Sequence, residues 1–182
     1  AFGWEPTEFA HMPLILNPDK SKLSKRQGDV AAEDFLNKGY LPEALINFVA
    51  FLGWNPKTEQ EIFTEDELIA QFELSKVNKS GAVLDMVKLD WMNSEYIKTK
   101  SNEELVQLCK PYWEKQGTDI SKFNNDYLVA VVGLEKERVK ILSDIPQLTK
   151  YFFEESVQLD PEKLVWKKST PEDTKHNLLL LQ

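Results

Sequence analysis

Four cations, Lys20, Lys22, Lys25 and Arg26, fall within seven residues of an otherwise acidic chain. They belong to the run Asp19-Lys20-Ser21-Lys22-Leu23-Ser24-Lys25-Arg26-Gln27-Gly28-Asp29. Ammonium groups on flexible stems, mounted on one loop, suit a polyphosphate. The elements around the loop fit that use. Ala10 to Leu16 reads as a short buried strand, and Asn17-Pro18-Asp19 as a turn. Asp29 is a good N-cap for the helix that follows. The layout is strand, cationic loop, helix, and the free N–H groups of a helix N-terminus also favour anions. The bland reading of Lys22 to Arg26 is a solvated, lysine-rich surface loop, since short matches have a high false-positive rate.

The rest of the chain must hold that loop in place. Ala31 to Lys38 reads as a short helix stopped by Gly39. Pro42 opens a second helix that is apolar on nearly every face, which predicts burial all round, and Gly53 ends it. Glu61-Ile62-Phe63 reads as a brief strand. Thr64 to Glu67 is a capping box for a helix with Leu68, Ile69 and Phe72 on one face. A turn at Asn78 to Gly81 precedes a helix over Asp85 to Asn93, with Met86, Leu89 and Met92 inward. A second capping box, Ser101 to Glu104, starts an amphipathic helix through Leu105, Leu108 and Cys109. Helices are predicted again over Asn125 to Gly133, Lys136 to Ser143 and Pro146 to Phe153, with another start at Ser169 to Asp173.

Composition sets outer bounds. The chain has 182 residues, 42% of them hydrophobic, enough for a core in one or two domains. A formal net charge of −8 argues against a general nucleic-acid coat protein, but leaves room for a local RNA footprint. The single cysteine, Cys109, permits no internal disulfide and no thiolate metal cluster, in keeping with a reducing compartment. There is no long apolar run to span a membrane and no signal-peptide pattern. The chain starts at Ala1 without Met and stops on an apolar run before Gln182, so it reads as a piece of a longer enzyme.

Lys22-Leu23-Ser24-Lys25-Arg26 resembles the Lys-Met-Ser-Lys-Ser signature of class I aminoacyl-tRNA synthetases, in the form common among glutamyl-tRNA synthetases. Its neighbours carry the likeness further. Ala10 to Asp19 leads into the loop as in the bacterial-type glutamyl enzymes. Gly39-Tyr40-Leu41-Pro42-Glu43-Ala44-Leu45, Phe51-Leu52-Gly53-Trp54, Lys88-Leu89-Asp90-Trp91-Met92-Asn93 and Tyr96-Ile97 follow at matching distances. The resemblance is close over residues 3 to 100 and looser beyond.

The resemblance implies a mainly α chain in three parts. Residues 1 to 18 would end a nucleotide-binding α/β domain, and residues 19 to 98 would form the motif loop and a stem-contact fold with a few short strands. Residues 99 to 182 would begin an all-helical anticodon-binding domain. It implies a glutamate–tRNA ligase with glutamate, ATP and tRNA(Glu) as substrates, Mg2+ accompanying the ATP and no metal of its own, monomeric and cytoplasmic. Lys25 would reach the ATP phosphates where charge builds as pyrophosphate leaves. Lys22 and Ser24 would hold the loop and add contacts, and Gly28 would let it move. Leu14 and Ile15 would present strand-end backbone to adenine, or simply serve as core strand residues. Arg138 falls where some bacterial enzymes place an arginine that reads the last anticodon base; otherwise it sits on an exposed Glu/Lys helix face. Lys76, Lys79 and Lys88 are candidates for acceptor-stem phosphates, and equally for solvated surface. His11 reads as a packed strand residue rather than a site.

Other parts of class I chemistry are not in these residues. The two histidines, His11 and His176, form no His-x-Gly-His element, and there is no Cys/His cluster for zinc. Alternatives from the sequence are a queuosine-modifying paralogue that glutamylates tRNA and a non-catalytic helical RNA- or protein-binding module. A paralogue of that kind lacks a helical anticodon domain, so the helical region after Ser101 argues against it.

Overall fold

Local capping chemistry sets most of the helix starts. Thr64 and Ser101 each accept an N–H from the glutamate three residues on, and Glu67 and Glu104 reach back to the cap N–H. The computed structural model describes residues 2–5, 7–24, 31–154, 161–165 and 169–180. In chain order the elements are β1 (Ile15–Leu16), α1 (Ala32–Lys38), α2 (Pro42–Gly53), α3 (Glu65–Gln71), β2 (Ala82–Val83) and α4 (Met86–Thr99). Then come α5 (Asn102–Lys115), α6 (Asn125–Glu135), α7 (Ile145–Phe153), α8 (Pro161–Leu164) and α9 (Pro171–Leu179). The fold is mainly α, with β1 and β2 forming a two-stranded parallel pair.

The core runs as adjoining clusters along the chain. Phe35, Tyr40, Phe48, Leu89 and Met92 pack α1, α2 and α4 together. Trp54, Phe63 and Leu68 close the outer side of α2 against α3. Ile97, Leu105, Cys109, Trp113, Val132 and Ile145 fill the space among α5, α6 and α7, and Leu41 and Ala44 of the α2 start join this second body. Cys109 is buried and its thiol is pushed up to about 12 by that burial, so it is an inert core residue.

Two buried contacts are prominent among those that join the first body to the second. Gly39 ends α1 in the left-handed region (φ 100), and a Cβ there would lie 2.8 Å from the Ser143 backbone nitrogen. Its carbonyl accepts the Leu142 N–H at 2.9 Å. The second contact is Asn93, fully buried on α4. Its Oδ1 accepts the Leu41 N–H at 2.8 Å, and its Nδ2 donates to the Lys140 carbonyl at 2.5 Å. Nearby, the Tyr40 hydroxyl donates to Asp90 at 2.5 Å.

Several expectations are corrected. Only Ile15–Leu16 of the expected strand pairs; Met12 and Leu14 are more than half exposed. Asp29 lies outside the described residues, and the α1 N-cap position is held by Ala31, whose N–H donates to Asp34. Helix α2 is not buried all round, since Ile46 and Val49 face solvent. Glu61 to Phe63 forms no strand, because the Phe63 N–H goes to the buried Asn47 side chain and its carbonyl accepts the Tyr96 hydroxyl. Ile69, Met86 and Leu108 are exposed rather than inward. Residues 136 to 143 are not one helix. They hold two 3-10 turns, Lys136–Arg138 and Leu142–Asp144, separated by the buried Val139.

Replacing Asn93 by Ala strands the Leu41 N–H and the Lys140 carbonyl. An unsatisfied buried polar group costs about 1–3 kcal/mol, so Asn93→Ala should lower the urea midpoint by an amount worth roughly 2–4 kcal/mol. Ser94→Ala, one residue away, should move it by no more than about 0.5 kcal/mol. A high-pH limb is also expected. Burial raises the Tyr96 phenol from 10.0 to about 12, so its neutral form favours the fold. That contribution is intact below pH 10 and is lost as pH rises through about 12. Burial and the bond to Asp90 raise the Tyr40 phenol as well, so phenolate absorbance should show at least two tyrosines, Tyr40 and Tyr96, ionising together with unfolding rather than before it.

Candidate nucleotide-loop and RNA-contact sites

The cationic run starts from a strand that is engaged on both edges. On one edge, Ile15 pairs with Ala82 and Leu16 with Val83 in parallel. The Leu14 carbonyl accepts the Ala82 N–H at 3.0 Å, and the Leu16 carbonyl accepts the Leu84 N–H at 2.8 Å. On the other edge, Leu16 lies antiparallel to Lys22. Here the Leu23 N–H donates to the Ile15 carbonyl at 3.0 Å, and the Asn17 N–H to the Ser21 carbonyl at 2.8 Å. Between them the chain turns through Lys20, which sits at φ 66. Asp19 holds the turn by accepting the Ser21 N–H at 2.9 Å and the Ser21 hydroxyl at 2.6 Å. Those two hydrogen bonds lower the Asp19 pKa, so an anion is fixed at the base of the loop.

Gly81 lets the strands come this close. A Cβ there would lie 2.8 Å from Leu16 Cδ1 and 3.1 Å from the Leu14 carbonyl oxygen. The Leu23 side chain faces an apolar cavity of about 190 Å³, lined also by Ile15, Phe35, Leu45, Phe48 and Leu84. Lys22 and Leu23 are therefore tied down by main chain and by apolar contact, while the Lys22 side chain is exposed. Ser24 is half-buried. Lys25, Arg26 and Gly28 lie outside the described residues.

Of the other candidates, Ile15 is half-buried and Leu14 is 55% exposed. The carbonyls of both are engaged within the chain, so what they offer a ligand is amide and side chain. His11 is exposed and outside the sheet, not packed in a strand. Lys88 pairs with Glu61 and lies 5.5 Å from the Phe51 ring centroid; Lys76 pairs with Glu73 at 2.5 Å. Lys79 is exposed. Among the described residues no group of His, Cys, Asp or Glu is arranged to hold a metal ion. No helix among the described residues is long and apolar enough to cross a membrane.

Arg138 lies far along the chain, at the end of the Lys136–Arg138 turn, with its side chain 73% exposed. Its Nη1 is 3.4 Å from Glu135 Oε2, and Glu135 is 97% buried at the C-terminal end of α6. The other oxygen, Oε1, accepts the Tyr151 hydroxyl at 2.7 Å, a bond that raises the Tyr151 pKa. Tyr151 is itself half exposed, its ring 4.2 Å from that of Phe152. Sequence reasoning missed both Glu135 and Tyr151. Glu135 looks like one more charge in Glu135-Lys136-Glu137-Arg138, and only the end of α6 turning under α7 buries it.

The family model for the catalytic domain of class I tRNA synthetases for glutamate and glutamine matches residues 1–91, and an anticodon-binding domain model matches residues 104–182. The chain belongs to this synthetase family. Two glutamate–tRNA ligases, from Prosthecochloris aestuarii and Chlorobaculum parvum, are each 46% identical to it. The matches cover 88% and 94% of this chain, and 33% and 36% of those proteins. The synthetase chain thus spans about a third of the length of the curated relatives it matches. A crystal structure of a glutamate–tRNA ligase from Elizabethkingia meningosepticum, in complex with its amino acid, superposes with a TM-score of 0.74 at 35% identity. It covers 91% of this chain and 36% of that one. A glutamate–tRNA synthetase from Elizabethkingia anophelis gives 0.75 at 31% identity, over 99% of this chain and 43% of that one.

The close strand contact makes a prediction for the synthetase loop. Overpacking a tight contact costs about 1–3 kcal/mol. In Gly81→Val, amide exchange at Leu23 and Ala82 should therefore quicken by about tenfold or more. Exchange at Leu105 and Val132, in the second body, should be unchanged. Equal exchange at Leu23 in the two proteins would mean that β2 does not hold the loop base.

Proposed function

We propose that this chain is the part of a glutamate–tRNA ligase that grips the ATP phosphates and contacts the RNA. The intact enzyme activates glutamate with ATP and transfers it to tRNA(Glu), in the cytoplasm and as a monomer. The observation that best supports the reading is the docking of Lys22-Leu23 on β1. It sets a rigid base two residues before Lys25, so the lysine works from a fixed origin rather than from a free tail.

In activation, a glutamate carboxylate oxygen attacks the α-phosphate and pyrophosphate departs. Negative charge grows on the phosphoryl oxygens and on the leaving group. Lys25 contributes an ammonium that meets this charge more strongly in the transition state than in the ground state. Lys22, exposed at the docked base, adds a second cation to the same electrostatic field, and Ser24 is proposed to hold the loop and supply a further contact. Leu14 and Ile15 lie at the strand end, where the adenine is proposed to rest. Mg2+ is proposed to travel with the ATP phosphates; this chain's described residues offer it no cluster of their own. Arg138 is proposed to contact the last anticodon base, where an exposed guanidinium can hydrogen-bond and stack on an unpaired ring.

Lys25→Ala in the intact enzyme should slow pyrophosphate exchange by about 10²–10³, the usual cost of one lost charge-stabilising donor. An unchanged exchange rate would reject the role and favour a non-catalytic RNA- or protein-binding module. The 182 residues by themselves, which contain no His-x-Gly-His element, are expected not to charge tRNA.

A further inference from the structure

Glu135 is the only charged side chain that is buried among the described residues. A buried carboxylate is costly unless its oxygens are hydrogen-bonded or paired. Here each oxygen has one partner: Oε1 takes the Tyr151 hydroxyl at 2.7 Å, and Oε2 faces Arg138 Nη1 at 3.4 Å. A purely structural carboxylate would be served by the first bond and by nearer main-chain donors. Instead, its second oxygen points out at an arginine that is 73% exposed. Beside that arginine, the Tyr151 ring lies 4.2 Å from Phe152 and is open to solvent.

We propose that Glu135 is a positioning residue: it aims the Arg138 guanidinium so that Arg138 and the Tyr151 ring together form a seat for one unpaired nucleobase. The inference rests on the reading that Arg138 contacts the anticodon. The guanidinium has five N–H donors in a rigid fork. Glu135 engages Nη1 alone, which leaves donors for a base edge, and the tyrosine ring offers a flat face on which that base can stack. The Tyr151–Glu135 bond fixes the carboxylate, and the carboxylate sets the fork. A base with two adjacent acceptors on one edge is the ligand this geometry takes, whereas a base presenting a donor there would face N–H against N–H.

The test uses the intact enzyme and four tRNA transcripts that differ only in the last anticodon base, with Kd measured by filter binding. A good bidentate contact discriminates between bases by about 5- to 150-fold. Glu135→Gln, which keeps the shape and removes the charge, should shrink the ratio of best to worst Kd by about tenfold, a part of that range. The Kd of the worst transcript should stay within about twofold, because only the base-specific contact is lost. Tyr151→Phe keeps the ring and frees the carboxylate; it should shrink the ratio by a smaller factor, about threefold, and serves if Glu135→Gln folds poorly. Arg138→Ala should remove the discrimination entirely. If Arg138→Ala abolishes discrimination but Glu135→Gln and Tyr151→Phe retain it, or weaken all four transcripts equally, Glu135 is merely structural and the inference is overturned. If Arg138→Ala itself leaves the ratio intact, the underlying reading of Arg138 fails as well.

Discussion

A strand of two residues holds the cationic loop, because both of its edges are hydrogen-bonded. A pair this short has little stability of its own. It is held by what surrounds it: Gly81 admits the close approach, and apolar side chains at Ile15, Leu23 and Leu84 line the cavity beneath. The main chain of Lys22 and Leu23 is thereby fixed without using any charged group. That division suits a phosphate site. If the lysines themselves anchored the loop through ion pairs, a ligand would have to break those pairs before it could bind. Backbone pairing leaves the exposed Lys22 ammonium free of the structural task.

The same economy continues through the body of the chain. Helix α1 begins just past the loop and ends at Gly39, whose backbone packs on Leu142 and Ser143. Asn93 ties the α2 start to the Lys140 carbonyl. Both contacts land in the segment that follows Arg138. The residues matched by the catalytic-domain model and those matched by the anticodon-domain model therefore meet through the Gly39–Leu142 hydrogen bond, and Asn93, which lies between the two matched ranges, bridges Leu41 to Lys140. Such bonds specify one arrangement, since sliding either body would leave an amide or carbonyl stranded.

How much of this can be read from the sequence depends on how local the cause is. Thr64 with Glu67, and Ser101 with Glu104, act within one helical turn, and both helices start where the residues say. Gly39 and Pro42 are equally local punctuation. Ala82–Val83 is not legible, because two residues have no periodicity and their partner, Ile15–Leu16, lies sixty-seven positions earlier. Residues 136 to 143 mislead for another reason. Val139 and Leu142 are spaced as on a helix, but the Asp144 carboxylate takes the Lys140 and Ile141 N–H groups and stops the turn from propagating. At the candidate sites, residue types point to Lys22, Ser24 and Arg138, while the groups that hold them depend on contacts remote in sequence. Glu135 is the clearest case: its neighbours in sequence are charged, and only Tyr151, sixteen residues on, marks it as buried.

A chain of net charge −8 that is proposed to contact polyanions must keep its own carboxylates from occupying its cations. The structure does this by giving the nearest acids neutral partners. Asp19, beside Lys20 and Lys22, accepts from the Ser21 amide and hydroxyl. Glu135, beneath Arg138, accepts its short bond from a tyrosine hydroxyl. Its 3.4 Å contact with the guanidinium is at the long end for a hydrogen bond, close enough to set direction and weak enough to leave the cation available. Overall charge matters less here than the hydrogen-bonding state of two carboxylates. Phosphate or base contacts act over a few ångströms, and beyond about 10 Å salt screens the remaining acids from the ligand. The acidic surface can then serve solubility while two small cationic sites remain open.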